Sequence, residues 1–347
     1  MIKSCLPASR DSLQPPVKSR SELSRAFLFT LLAGWIVLSA AGVFYSRSKD
    51  IAPGIAAPIV AAFLLEYTFY LVPGFAGLRE WLADRVPVRL LALCLALSAL
   101  APYLLYSLPT GQFRAQSAIR LAALVLAISF WYIWQRPTPI ADLTILALVV
   151  APLIARLFFK QIYTSPIPLV SIDVLGHLML IRLTASVMLM LREVEGTGFG
   201  FLPTAQEWRI GLRYFLFFLP VGLAVSAGLR ILHVRFSWRS LAQAPFWFLA
   251  ALWVIALFEE FLARGLFQRW ITDWTGRPNL ALLCASAAYG LSHLWYHHTF
   301  PNWRDAILTT VLGWFCGKAY QQAGGIRAAM VTHALAVTVY QTLLGLT

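Results

Sequence analysis

Charge is scarce in this chain. Of its 347 residues only 12% are Asp, Glu, Lys or Arg, about half the share found in soluble domains. The shortage falls mainly on acids, 15 against 28 Lys and Arg, for a formal charge of +13. So few ionic groups cannot coat a globular surface of this size, which excludes a soluble enzyme. Cysteine is also sparse: Cys5, Cys94, Cys284 and Cys316 sit mostly in apolar segments without CxxC spacing. They read as small packing residues and exclude a disulfide framework or a zinc knuckle. No basic cluster interleaved with aromatics occurs, so the positive charge belongs to loops beside anionic headgroups, and no nucleic-acid partner is expected. Several chemistries are missing outright. There is no HExxH, no Gly-x-Ser-x-Gly elbow, and no pair of Asp in the contexts of aspartyl intramembrane proteolysis. No internal repeat supports an inverted-repeat transporter.

What the chain has instead is apolar length. It is 59% hydrophobic, its mean hydropathy is +0.71, and several runs reach the ~20 residues that cross a bilayer. The composition predicts an all-α polytopic transmembrane bundle of about eleven spanning or partly spanning helices. Their expected positions are 26–46, 55–76, 88–108, 118–134, 140–159, 172–191, 212–232, 245–270, 279–298, 305–321 and 326–345. Residues 1–25 form a polar tail whose Lys3, Arg10, Lys18, Arg20 and Arg25 place the N-terminus in the cytoplasm. An odd number of spans then puts Thr347 on the opposite side.

The two halves differ in what they hold at depth. Residues 26–171 carry little beyond Glu66 and Asp142 and read as a scaffold or partner module. Residues 172–347 hold His177, Arg182, Glu259, Glu260, Arg264, His293, His297, His298 and His333, and read as the working part. Glu66, Asp142, His177 and Arg182 read as structural, with Arg182 pairing with Asp142 or Asp173. The polar stretch 191–211, with Gly196, Gly198 and Gly200 between Phe199 and Phe201, reads as a loop leading into an interfacial amphipathic segment.

An ionisable side chain at mid-bilayer costs several kcal/mol, roughly 2.5 to 3.5 on insertion scales, so a cluster there needs a reason. The apolar run 246–267 contains Glu259 and Glu260, with Arg264 four residues on from Glu260. Residues four apart on a helix are neighbours, so Glu260 and Arg264 form an ion pair, while Glu259 points about 100° away without an equal local partner. The next span presents Tyr289 and His293, also four apart, and the last presents His333. A carboxylate and two imidazoles from three helices are the minimum for activating a water. The bland alternatives are a buried ion-pair network and satisfied core histidines. A zinc site built from His293 and His297 with Glu259 or His333 is a third possibility.

These residues carry a resemblance. Glu259-Glu260-Phe-Leu-Ala-Arg264 matches the EExxxR signature of the CAAX prenyl endopeptidase and bacteriocin-processing family of glutamic-type intramembrane proteases. Tyr289-xxx-His293 is similar to its second motif, with Tyr where Phe is usual. Trp314-Phe315-Cys316-Gly317, Gly324-Gly325-Ile326 and His333 resemble the third and fourth motifs. The resemblance implies that Glu259 activates water, His293 positions it, His333 supports the oxyanion, and Glu260 with Arg264 orients Glu259. It implies no metal or organic cofactor. The substrate implied is a membrane-associated peptide or protein, in a multi-pass protein of a bacterial cytoplasmic membrane. One departure stands out: the position one turn after His333, usually Asn, is Val337, which cannot donate a hydrogen bond. Thr338 or Tyr340 are candidates to replace it. Failing that, the chain is an inactive relative serving as a membrane immunity or partner-binding protein.

Overall fold

The computed structural model describes residues 20–155, 157–168, 170–234, 237–298 and 300–346. Most of the polar tail, with Cys5, lies outside them, as do the side chains of His297 and His298. Thirteen helices follow one another among the described residues. They are α1 Arg20–Ser48, α2 Pro53–Leu71, α3 Ala76–Arg85, α4 Val88–Ser107, α5 Ala115–Trp134, α6 Pro139–Ile154 and α7 Leu157–Ile162. Then come α8 Asp173–Leu191, α9 Ala205–Gly228 and α10 Trp238–Thr275, then α11 Pro278–Ser292, α12 Trp303–Ala323 and α13 Ile326–Thr342. Each of the eleven expected spans is a helix, and the two extra ones, α3 and α7, are short. Seven helices (α1, α2, α4, α5, α8, α9, α10) are long and apolar enough to cross a membrane. The expected span 140–159 is cut at Ala155 (φ −74°, ψ 57°), three residues after Pro152. A proline inside a helix removes a hydrogen bond and weakens the turn before it.

The polar groups of the first half are satisfied inside the bundle, as lipid requires. Arg182 on α8 bonds Glu66 on α2 with Nε at 2.5 Å and Nη2 at 3.2 Å, and its remaining donors reach the Ser98 hydroxyl and carbonyl on α4. Both charges are buried. Asp142 on α6 instead accepts from Arg192, at 3.1 Å to each oxygen, and from the Tyr132 hydroxyl at 2.6 Å. The expected pairing of Arg182 with Asp142 or Asp173 is therefore corrected. Glu66 lies 116 positions away in sequence, and helical spacing carries no information about so distant a partner. These bonds also tie α8 to α2, α4 and α6, and one buried cluster runs from Ile59 to Ala334 through both halves.

The stretch 192–204 is a docked connector and not a free loop. The Ile326 amide donates to the Thr197 carbonyl at 2.9 Å. Gly198, at φ +64°, brings its Cα so near Gly325 that a Cβ there would stand 2.7 Å from the Gly325 Cα. Only glycine meets both demands without strain. Phe199 packs edge-on against Phe261, and Phe201 stacks on Tyr70. The expected amphipathic segment is the first part of the long helix α9, started by a capping box in which the Thr204 side chain and Glu207 each bond the other's backbone amide. Glu207 also holds Arg327 of α13 at 2.9 Å. At the other end of the bundle a short antiparallel pairing sets Leu232–Val234 against Leu344–Leu346, joining the α9–α10 connection to the C-terminus.

Replacing Arg182 by Ala strands the Glu66 carboxylate, which for a buried pair costs about 3–5 kcal/mol. Thermal unfolding in detergent should show a large drop for Arg182→Ala and recovery in the double variant Glu66→Leu/Arg182→Leu. Equal destabilisation of both variants would contradict the pairing.

Candidate active site

The site is built on α10. Residues 257–260 of this helix are regular α-helix, flanked by wider π-helical stretches at 251–256 and 261–268. Such turns recur at functional sites because they re-aim side chains without ending the helix. At 38 residues, α10 is about 50 Å long, well past the ~30 Å hydrocarbon layer. Its neighbour α11 has 15 residues, about 22 Å, and so stops short of a full crossing. His293 caps the C-terminal end of α11. The chain turns back through a tight connection closed by the Asn302 amide on the Leu294 carbonyl at 2.8 Å.

Glu260 is fully buried and flanked on three sides. Arg264, also fully buried, approaches it with Nη1 at 3.2 Å. His333 Nδ1 lies 2.8 Å from Oε1, and the Cys316 sulfur stands within 4.8 Å of the same carboxylate. Arg264 extends the arrangement to α12 through Nη2 and the Gly313 carbonyl at 2.7 Å. Its guanidinium also sits 4.9 Å from the centre of the Tyr289 ring on α11. Gly313 permits this approach, since a Cβ there would lie 3.1 Å from Nη2. One acid thus links α10, α11, α12 and α13.

Glu259 is different. Its side chain is 30% exposed, it accepts a hydrogen bond from the Tyr289 hydroxyl at 2.7 Å, and one oxygen lies 3.7 Å from His333 Nε2. His333 is therefore placed between the two carboxylates, Nδ1 toward Glu260 and Nε2 toward Glu259. The His293 ring packs against Tyr289 with centroids 4.8 Å apart, and its Nδ1 lies 2.9 Å from the Tyr289 carbonyl. The structure thus brings Glu259, Tyr289 and His333 together, with Glu260 and Arg264 behind, and packs His293 on the Tyr289 ring.

Residues 241–339, under a third of the chain, match the family model described as type II CAAX prenyl endopeptidase Rce1-like. This segment is CAAX-protease-like. No curated protein and no solved structure matches the chain. The CAAX-protease-like segment contains all of α11 and α12, most of α10, and α13 through His333 and Val337. The segment is similar, at the level of the family, to a protease domain, and it is set here in a multi-pass membrane protein.

One contact of this CAAX-protease-like site carried no signal in the sequence: the Gly313 carbonyl is an acceptor for Arg264. Spacing does not mark it, because a neighbouring helix brings it in. Cys316, read there as packing and as part of the third motif, stands beside Glu260 and His333. The suggested substitutes for the missing donor at Val337 are engaged elsewhere. Thr338 donates to the Ala334 carbonyl of its own helix at 2.7 Å, and the Tyr340 hydroxyl pairs with Ser226 at 2.9 Å. Val337 itself packs against the main apolar cluster. Among the described residues, one set has metal-ligand spacing: Glu260, Cys316 and His333, with ligand atoms within 4.8 Å of one another. The fit is poor. Arg264 already supplies a positive charge to Glu260, and a cation would have to displace the hydrogen bond between Glu260 and His333.

Arg264→Ala should strip the buried Glu260 of its cation and leave the Gly313 carbonyl without its donor, a loss of about 3–5 kcal/mol. Arg264→Lys keeps the charge but not the fork, and should unfold at a temperature between the alanine variant and wild type. A melting temperature unchanged in Arg264→Ala would show that this network does not hold the helices.

Proposed function

We propose that the protein is an intramembrane glutamic endopeptidase that hydrolyses a peptide bond of a membrane-associated peptide or protein. The observation that carries this reading is the asymmetry of adjacent carboxylates. Glu260 is fully buried and engaged by Arg264 and His333. Glu259 is partly exposed and has an oxygen near the His333 imidazole. A water beside Glu259 gives up a proton to that carboxylate as its oxygen attacks the scissile carbonyl carbon. The carbonyl electron pair moves onto oxygen, and the tetrahedral intermediate collapses as the C–N bond breaks. The proton held by Glu259 passes to the leaving amine. His293, packed on the Tyr289 ring, orients the water. Glu260 and Arg264 fix the direction of Glu259, and residues 26–171 serve as a scaffold. The setting proposed is a bacterial cytoplasmic membrane with the N-terminus inside.

Positioned acid–base groups contribute about 10²–10⁴ in rate. Glu259→Gln and His293→Ala should each lower cleavage of a membrane-tethered reporter peptide by that order, with little change in melting temperature for Glu259→Gln. Unchanged turnover in either variant would refute the mechanism.

Two other readings rest on particular observations. Val337 supports an inactive relative acting as an immunity or partner-binding protein. The Glu260, Cys316 and His333 set has the spacing a zinc protease would need, with Arg264 beside it weighing against a cation. Elemental analysis of the purified protein separates the second: the glutamic reading expects no bound zinc, whereas one equivalent lost on Cys316→Ser would establish the metal.

A further inference from the structure

Tyr289 is the hub of the site. Its hydroxyl bonds Glu259 at 2.7 Å and lies 3.4 Å from His333 Nε2. Its ring meets the Arg264 guanidinium on one side and His293 on another. The donor capacity around this point is limited. His333 Nδ1 faces the Glu260 carboxylate at 2.8 Å, and its Nε2 lies 3.7 Å from Glu259. The Val337 side chain carries no donor. The hydroxyls of Thr338, Tyr340 and Ser292 are bonded to Ala334, Ser226 and Tyr289 respectively. A phenol remains, aimed at the carboxylate that takes the proton from water.

We propose that Tyr289 is a further catalytic residue, its hydroxyl supplying the hydrogen bond that stabilises the developing oxyanion. The inference rests on the glutamic-protease reading above. Before attack the hydroxyl donates to the charged Glu259 and holds it in place. As Glu259 accepts the proton of water, its oxygen becomes a weaker acceptor and negative charge appears on the former carbonyl oxygen. The hydrogen bond of the phenol follows that charge. No proton leaves Tyr289: water supplies one proton to Glu259, and the amine later receives it. An interaction that strengthens only in the transition state raises turnover without tightening substrate binding.

Tyr289→Phe tests this, since it removes one oxygen and keeps the ring on Arg264 and His293. Loss of a single oxyanion donor costs about 10²–10³ in kcat. A fall in kcat of that order is expected, with KM within about twofold and an unchanged melting temperature. The inhibition constant of a peptidyl phosphonamidate, which mimics the tetrahedral intermediate, should rise by a similar factor. A residue that merely positions its neighbours would not weaken the analogue in step with kcat. Wild-type kcat in Tyr289→Phe, a loss confined to KM, or unaltered phosphonamidate affinity would each overturn the proposal. Should Glu259→Gln abolish cleavage while Tyr289→Phe does not, this inference alone fails. Cleavage that survives Glu259→Gln removes the glutamic reading and Tyr289's role with it.

Discussion

A charge sealed inside an apolar bundle must find its partners within the protein, and the fully buried Glu260 is where that demand is greatest. The carboxylate has more lone pairs than one cation can satisfy, so it gathers Arg264 from its own helix and His333 from α13. Each of these contacts fixes a helix position. The consequence for chemistry is indirect but large. With Glu260 turned to Arg264 and His333, its neighbour Glu259 takes the adjacent face, meets Tyr289, and keeps part of its surface accessible. One carboxylate serves as structure so that the other need not.

The same constraint organises the region toward the N-terminus. Glu66 and Arg182 join α2, α4 and α8, while Asp142, Tyr132 and Arg192 join α5, α6 and the end of α8. Neither group faces the reacting centre. They act as pins, where a polar bond with no water to compete for it sets the angle and register of apolar helices that would otherwise slide. The connector 192–204 continues that rigidity. Its backbone bonds α13 at Ile326, and its Phe201 carbonyl accepts from Trp253 of α10. Helix α13, which carries His333, is thereby held from both sides of the bundle.

Proximity in sequence decided what could be read early. The Glu260–Arg264 pair was legible because an α-helix brings residues four apart together, and the structure contains it. The separate environments of Glu259 and Glu260 followed from the 100° step between consecutive residues. The partner of Arg182 was not legible, nor was the burial of the glycine-rich connector, nor the early stop of α6. Each of these depends on a neighbour supplied by a distant segment or on a local balance that periodicity does not weigh.

The sequence alone determined a helical membrane bundle, because too few charges and too many apolar runs leave no other way to satisfy the backbone. It also determined which side chains had reason to sit at depth. Only the tertiary structure decided that His333 would stand between the two glutamates and that Tyr289 would reach Glu259. It also decided that the hydroxyls beside Val337 would turn to other partners. Those outcomes depend on how α10, α11 and α13 cross, and crossing geometry comes from the packing of three surfaces together. No single helix carries it in its own order of residues.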